Sequence, residues 1–308
     1  ITGGVSGVEN ITLSSNNDNL TVGGSGSLSG NVDFGAGSGD TLSYAGNANA
    51  VTVSLNSATS TAAAGAMGIS GTTSGFEALI GGSGNTDTLN ATSGVNTLSV
   101  ASGGVTTLDT SLTVSGFETI NLGAASDASA DSAIFSGAFS GTVNLGDGGD
   151  TATINNGGSV TSLVGGAGTD TLNLDAAANS ITITGTGAGT TAGTTGGTTT
   201  FSGFETVNGL GGTDAFTVNN ASSTTISVDG GTGTDSLSVA GTDSTDNNLT
   251  ISGAGSGALG SVTFSGIESI ALAGGGDTAS VTTGSLTGNL NLGDGSNSLT
   301  ISGGSSSI

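Results

Sequence analysis

The sequence predicts an all-β protein built as a parallel β-solenoid, or β-helix, of about 21–22 residues per coil and roughly 14 coils, right-handed by the usual rule. Three observations predict it. The composition is dominated by small residues, two motifs recur at multiples of one spacing, and short alternating apolar stretches are bounded by Gly, Asn, Asp and Ser.

The composition sets the limits first. The 308 residues include 61 Gly and no Lys, Arg, His, Cys, Pro or Trp. Such a chain has few large apolar side chains to offset its conformational entropy, which could mean disorder. Yet 33% hydrophobic residues and a mean hydropathy of +0.19 are too apolar for a solvated coil, and proline is absent. An ordered but thin structure with small core residues fits better.

The charge is one-sided. Twenty-three carboxylates face no basic group, for a net charge of −23. Phosphate recognition needs Lys or Arg, so no nucleic acid partner is expected, and no anionic membrane surface. No apolar run approaches the ~18 residues of a membrane span, so no membrane insertion is expected. The carboxylates must be solvated, protonated or neutralised by external cations. Both ends read as mid-repeat sequence, so residues 1–308 are expected to form one elongated domain within a longer repetitive polypeptide.

The repeat shows in two motifs. All five glutamates lie in Ser-Gly-(Phe/Val/Ile)-Glu-x-(Leu/Ile/Val), at Glu9, Glu77, Glu118, Glu205 and Glu268. An Asx residue before an alternating apolar stretch recurs at Asp18, Asp40, Asp87, Asp109, Asp131, Asp150, Asp170, Asp214, Asp235, Asp277 and Asn297. Thirteen steps over those 279 residues give about 21.5 residues per step. Each step is one coil of two or three strands, stacked in parallel on the next at about 4.8 Å, for a rod on the order of 65 Å. Alternation such as Ile181-Thr182-Ile183-Thr184 turns one side chain in and the next out. Phe76, Phe117 and Phe204 are expected on one inward corner, and Tyr44 on the surface or a terminal strand. Steps without Asp fall near 63, 192 and 256; they are plain coils or hairpin excursions.

Two segments, Gly165–Asn173 and Gly230–Ser238, read Gly-Gly-x-Gly-x-Asp-x-Leu-x in full. Near matches are Gly81–Leu89, Gly35–Leu42 and Gly209–Phe216. The pattern resembles the calcium-binding nonapeptide of RTX proteins, and the small-residue background resembles their Gram-negative surface-layer and large-adhesin members. The resemblance implies a secreted, cell-surface protein that binds Ca2+. It departs from the family in spacing, because a full nonapeptide occurs at most once per coil rather than twice. Asp170 and Asp235 match the liganding aspartate, with carbonyls of the glycine turns as co-ligands. The best calcium candidates are runs of Asp on consecutive coils: Asp131, Asp150 and Asp170, then Asp214 and Asp235, with Asp147 and Asp229 adding oxygens. The competing reading makes each Asp a turn former that caps its own backbone. The glutamates similarly could cap turn N–H groups, face water or bind metal.

The expected function is an extracellular structural element at a cell surface: part of a surface layer, fibre, sheath or adhesin stalk. Its partners would be copies of itself, neighbouring segments of the same polypeptide, and calcium ions. An enzyme is not expected, because no Ser–His or Cys–His pair and no basic proton acceptor exists. A two-carboxylate glycosidase is chemically allowed, but aromatic platforms for sugar are limited to Tyr44 and nine Phe. The alternative is a binding module with a sugar or ice face. Thr151-Ala152-Thr153 and Thr182-Ile183-Thr184 suit an ice face, but most coils lack the pattern.

Overall fold

The computed structural model describes residues 9–303 apart from 25, 58–60, 63–67, 85, 110, 124–125, 194–195, 222 and 241–243. The regular elements among the described residues are β-strands, with no helix. The chain divides into two compact units, Ile1–Asp150 and Thr151–Ile308.

In each unit, successive strands pass back and forth between two long sheets whose neighbours pair mainly in parallel. In the first unit, Asn19–Thr21, Thr41–Ser43 and Ala78–Ile80 follow one another in one sheet, aligning Leu20, Leu42 and Leu79. In the other, Thr52–Ser57, Thr88–Asn90, Thr119–Asn121 and Ala138–Gly148 align Val53, Leu89, Ile120 and Val143. In the second unit, Ala215–Val218, Ser236–Val239 and Ser269–Ala271 align Phe216, Leu237 and Ile270. The strict alternation of burial in strands such as Ser132–Phe135 follows from the two-residue side-chain period. The core between the sheets is therefore a set of aliphatic and Phe rows that no single strand could bury alone.

The parallel order is interrupted by four antiparallel backfolds among the described strands. In the first unit they are Thr52–Ser57 with Thr61–Ala62 and Thr73–Ser74, and Thr97–Val100 with Thr106–Leu108 and Leu112–Ser115. In the second they are Asn179–Gly185 with Ala188–Gly193 and Thr198–Ser202, and Asn248–Gly253 with Ser256–Leu259 and Val262–Ser265. The first strand of each jumps ahead to pair in parallel with a later strand. The third falls back to pair in parallel with an earlier one. The Asp-free steps near 192 and 256 are thus excursions within the sheet rather than plain coils. The step near 63 lies partly outside the described residues, but its flanking strands follow the same pattern. The remaining backfold, Thr97–Val100 with Thr106–Leu108 and Leu112–Ser115, is concealed in the sequence by Asp109, whose spacing imitates an ordinary step; Asp109 sits at a strand-to-strand corner with φ 51°.

Two of the middle strands carry a glycine for a steric reason. A Cβ on Gly189 would lie 2.2 Å from the Thr182 carbonyl oxygen, and one on Gly257 1.9 Å from that of Thr250. Each glycine lies beside an equivalent bulge, between Ile183 and Gly185 and between Ile251 and Gly253.

Two core expectations are corrected. Tyr44 is fully buried, two residues beyond inward-facing Leu42, so the alternation carries its ring into the core. Phe76, Phe117 and Phe204 are buried but do not share one corner. Phe76 leads into the strand Ala78–Ile80 of one sheet and Phe117 into Thr119–Asn121 of the other. Phe76 instead meets Phe34 edge-on at 6.1 Å, and Phe204 meets Phe201 at 6.2 Å. The motif marks the exit from a backfold, and backfolds occur in both sheets.

Candidate functional site

The acidic residues form ladders that link adjacent strands. Each ladder Asp sits just before a strand with its side chain buried, and its Oδ1 accepts the backbone N–H of the corresponding residue on the preceding strand. Asp40 accepts from Asp18 at 2.7 Å, Asp87 from Val51 at 2.7 Å and Asp131 from Asn96 at 2.7 Å. Asp150 accepts from Asp131, Asp214 from Asn179, Asp235 from Asp214 and Asp277 from Asn247. In each case the carboxylate satisfies a backbone donor at the start of a strand.

The motif glutamates end these ladders. Glu77 Oε2 accepts the Asp40 N–H at 2.9 Å, Glu118 that of Asp87 at 2.8 Å, Glu205 that of Asp170 at 2.7 Å and Glu268 that of Asp235 at 2.7 Å. In return the Asp carbonyl accepts two N–H groups: Glu118 and Thr119 both donate to Asp87, and Glu268 and Ser269 both donate to Asp235. The extra methylene of Glu lets its carboxylate reach back while its own N–H turns inward. Several ladders begin at a buried Asn at the start of a backfold's first strand: Asn96, Asn179 and Asn247. Their amides bond to local carbonyls, such as Asn179 Nδ2 to Ala177 O at 2.8 Å.

The glycine five residues before several ladder aspartates has a direct role. A Cβ on Gly209 would lie 2.2 Å from Asp214 Oδ2, and one on Gly82 2.9 Å from Asp87 Oδ2. The carboxylate folds over a backbone that must be bare. This accounts for the leading glycine of the Gly-Gly-x-Gly-x-Asp pattern independently of any ion.

The second oxygen is the unusual feature. Oδ2 of Asp40, Asp87, Asp131, Asp214, Asp235 and Asp277 is buried without a hydrogen-bond partner. Burial pushes the carboxyls of Asp131 and Asp214 up to about 6, against the lowering effect of the Asn96 and Asn179 N–H groups and with smaller contributions from neighbouring acids. Asp150 and Asp235 move in the same direction, again chiefly by burial. Asp127 moves the other way, lowered mainly by the Ser129 hydroxyl, which donates to it at 2.6 Å.

Of the acids expected to bind metal, the structure brings Asp131 to Asp150, and Asp214 to Asp235, one ladder step apart. Asp170 is joined to Glu205. Asp147 lies near enough to Asp150 to raise its pKa. Asp229 does the same to Asp235 and accepts the Gly231 N–H at 3.2 Å in its own turn. Sequence reasoning left Asp127 out of the metal set, though its charge acts on both Asp131 and Asp150. Its position nine residues after Glu118 was the available signal. Among the described residues no group of three or more acids is arranged to hold a metal.

No family model matches the chain, and no curated protein matches it.

Proposed function

We propose that this chain is a parallel β-solenoid serving as a structural segment of an extracellular assembly: a surface layer, fibre, sheath or adhesin stalk. The observation that carries this reading is the carboxylate ladder. Its acids are spent on joining strand to strand, bonding to backbone N–H groups, rather than converging on a cleft. The wall so built is repetitive, without basic side chains and dominated by small residues. A chain without Lys or Arg also offers no site to trypsin-like proteases, which suits exposure outside the cell.

Calcium belongs to this reading as the ion that would neutralise the ladders. Asp131 with Asp150, and Asp214 with Asp235, supply the carboxylates; Asp147 and Asp229 stand by. The buried Oδ2 atoms of Asp131, Asp214 and Asp235, which have no hydrogen-bond partner, support this reading. Calcium takes about six to eight oxygens, so carbonyls of the glycine turns would complete each site. When bound it would supply positive charge to carboxylates that have no basic partner in the chain. Two measurements test the reading. Antibody against the chain should label unpermeabilised cells of the source organism; label confined to opened cells would refute the surface role. Equilibrium dialysis should find calcium bound to the wild type and less to an Asp214→Asn, Asp235→Asn double variant. Equal binding would remove these sites.

A further inference from the structure

One backfold of the first unit departs from the plan of the two in the second. In those two, the middle and third strands set a glycine opposite a phenylalanine: Gly189 pairs with Phe201 and Gly257 with Phe264. Each ring lies over its glycine, where a Cβ would come within 2.8 and 2.9 Å of the Phe Cζ. The hairpin turn is also tied to the exit from the third strand. Phe204 N–H donates to the Gly187 carbonyl at 3.1 Å, and Ile267 N–H to that of Gly255 at 3.0 Å. Ring and turn together fill the corner.

In the backfold that starts at Thr97, the same register sets Thr106 opposite Val114. Val114 stands four residues before Glu118, as Phe201 does before Glu205 and Phe264 before Glu268. The ring is replaced by a smaller side chain. The turn differs too. The other two hairpins turn on two residues, Thr186-Gly187 and Ala254-Gly255, whereas this one runs through Ala101–Val105. A cavity of about 180 Å³ opens at that corner. Thr106, Val114 and Phe117, all buried, line its inner part, and exposed Ser115 and Ser140 its mouth. Phe139 lines it as well, and alone among the nine phenylalanines it is only half-buried. Its ring lies against the bare backbone of Gly141, where a Cβ would come 2.7 Å from Cε1.

An accessible aromatic ring beside hydroxyl groups, with no charged side chain in the lining, is the chemistry of a neutral sugar site. A pyranose presents C–H bonds on one face, and these stack on the electron-rich face of an aromatic ring. Its hydroxyls exchange hydrogen bonds with Thr and Ser hydroxyls, which both donate and accept. The volume suits one ring, below the roughly 300–1,000 Å³ of pockets that hold drug-sized ligands. Glu118, next to Phe117, is engaged by the Asp87 N–H, and its charge disfavours an anionic sugar.

We propose that this corner binds a single neutral monosaccharide unit, the end or a branch of a polysaccharide chain, stacked on Phe139. The site adds glycan binding to the structural role and does not depend on calcium at the ladders.

Saturation-transfer NMR tests it, with the methyl glycosides of glucose, galactose, mannose, N-acetylglucosamine and fucose as neutral probes and sodium glucuronate as the anionic one. The wild type should transfer saturation to at least one neutral glycoside and not to glucuronate. Phe139→Ala removes the stacking ring, and the signal should fall to background. A Thr106→Gly, Val114→Phe double variant installs the pair of the other two backfolds, closes the cavity and should also abolish the signal. Melting curves establish that each variant folds; Phe139, at the surface, keeps the test open if the double variant does not. No transfer to any neutral glycoside overturns the proposal. So does a signal that survives either folded variant, which would place the sugar elsewhere, or one as strong for glucuronate. None of these results touches the surface role, which antibody labelling tests separately.

Discussion

A single buried carboxylate does two opposing things here. Its Oδ1 satisfies an N–H group that would otherwise be orphaned, and its Oδ2 is taken out of water with no hydrogen bond in return. Asp214→Ala leaves the Asn179 N–H unpaired and should cost about 1–3 kcal/mol in denaturant unfolding. Asp214→Asn keeps an oxygen for that N–H without the buried charge, so it should cost less at pH 7; a loss equal to that of Ala would show that the N–H bond is not what matters. The pH dependence follows from the raised values. A carboxyl whose folded pKa lies above its unfolded value stabilises the fold below the unfolded value, near 4, and loses that contribution as pH rises through about 6. In chelator, the protein should therefore gain stability on acidification from pH 7 to pH 4, by something on the order of 2–5 kcal/mol, rather than show the usual acid loss. Asp127 has the opposite sign, but its loss falls below that window. The Asp positions were legible in the sequence because their spacing repeats. The fate of Oδ2 was not, since it depends on how closely the turn glycines pack. Tyr44 was misplaced because a lone aromatic carries no period of its own.

At the scale of the element, the motif glutamate is a ladder end set by one methylene. Glu118→Asp should draw the carboxylate away from the Asp87 N–H and destabilise the protein by about 1–2 kcal/mol, while Glu118→Gln, which keeps an oxygen at the same reach, should cost less. Thermal melts of the two variants compare them directly; a larger loss for Gln than for Asp would assign the effect to charge instead. The glycine before each Asp carries a larger penalty. Gly209→Ala drives a methyl group against Asp214 Oδ2 and the Gly230 carbonyl, 2.2 and 3.0 Å away, and should cost more than Gly103→Ala, where nothing lies within 4 Å. The sequence shows the recurrence of Ser-Gly-x-Glu without its meaning. The motif follows the third strand of a backfold, and that strand's partner lies far away in the chain. Backfolds keep the strand period of two and are rich in Gly, Ser, Thr and Ala, as the parallel strands are. Neither composition nor alternation separates them, and an Asp at the expected interval, as at Asp109, conceals one entirely.

For the whole molecule, all-β architecture and parallel stacking were legible because small residues, two-residue alternation and a recurring step all point the same way. What holds the stack is less apparent. With −23 charges and no base, the proposed reading has the fold depend on neutralising the acids that lie inside it, by protons or by calcium. The most direct test is thermal unfolding followed by far-ultraviolet circular dichroism at pH 7 and pH 5, each in millimolar calcium and in excess chelator. The account predicts the lowest melting temperature at pH 7 in chelator, raised both by calcium and by acid, with the effect of calcium shrinking at pH 5. A melting temperature indifferent to both would contradict it, and would mean that the ladders hold the strands together with their buried charge already accommodated.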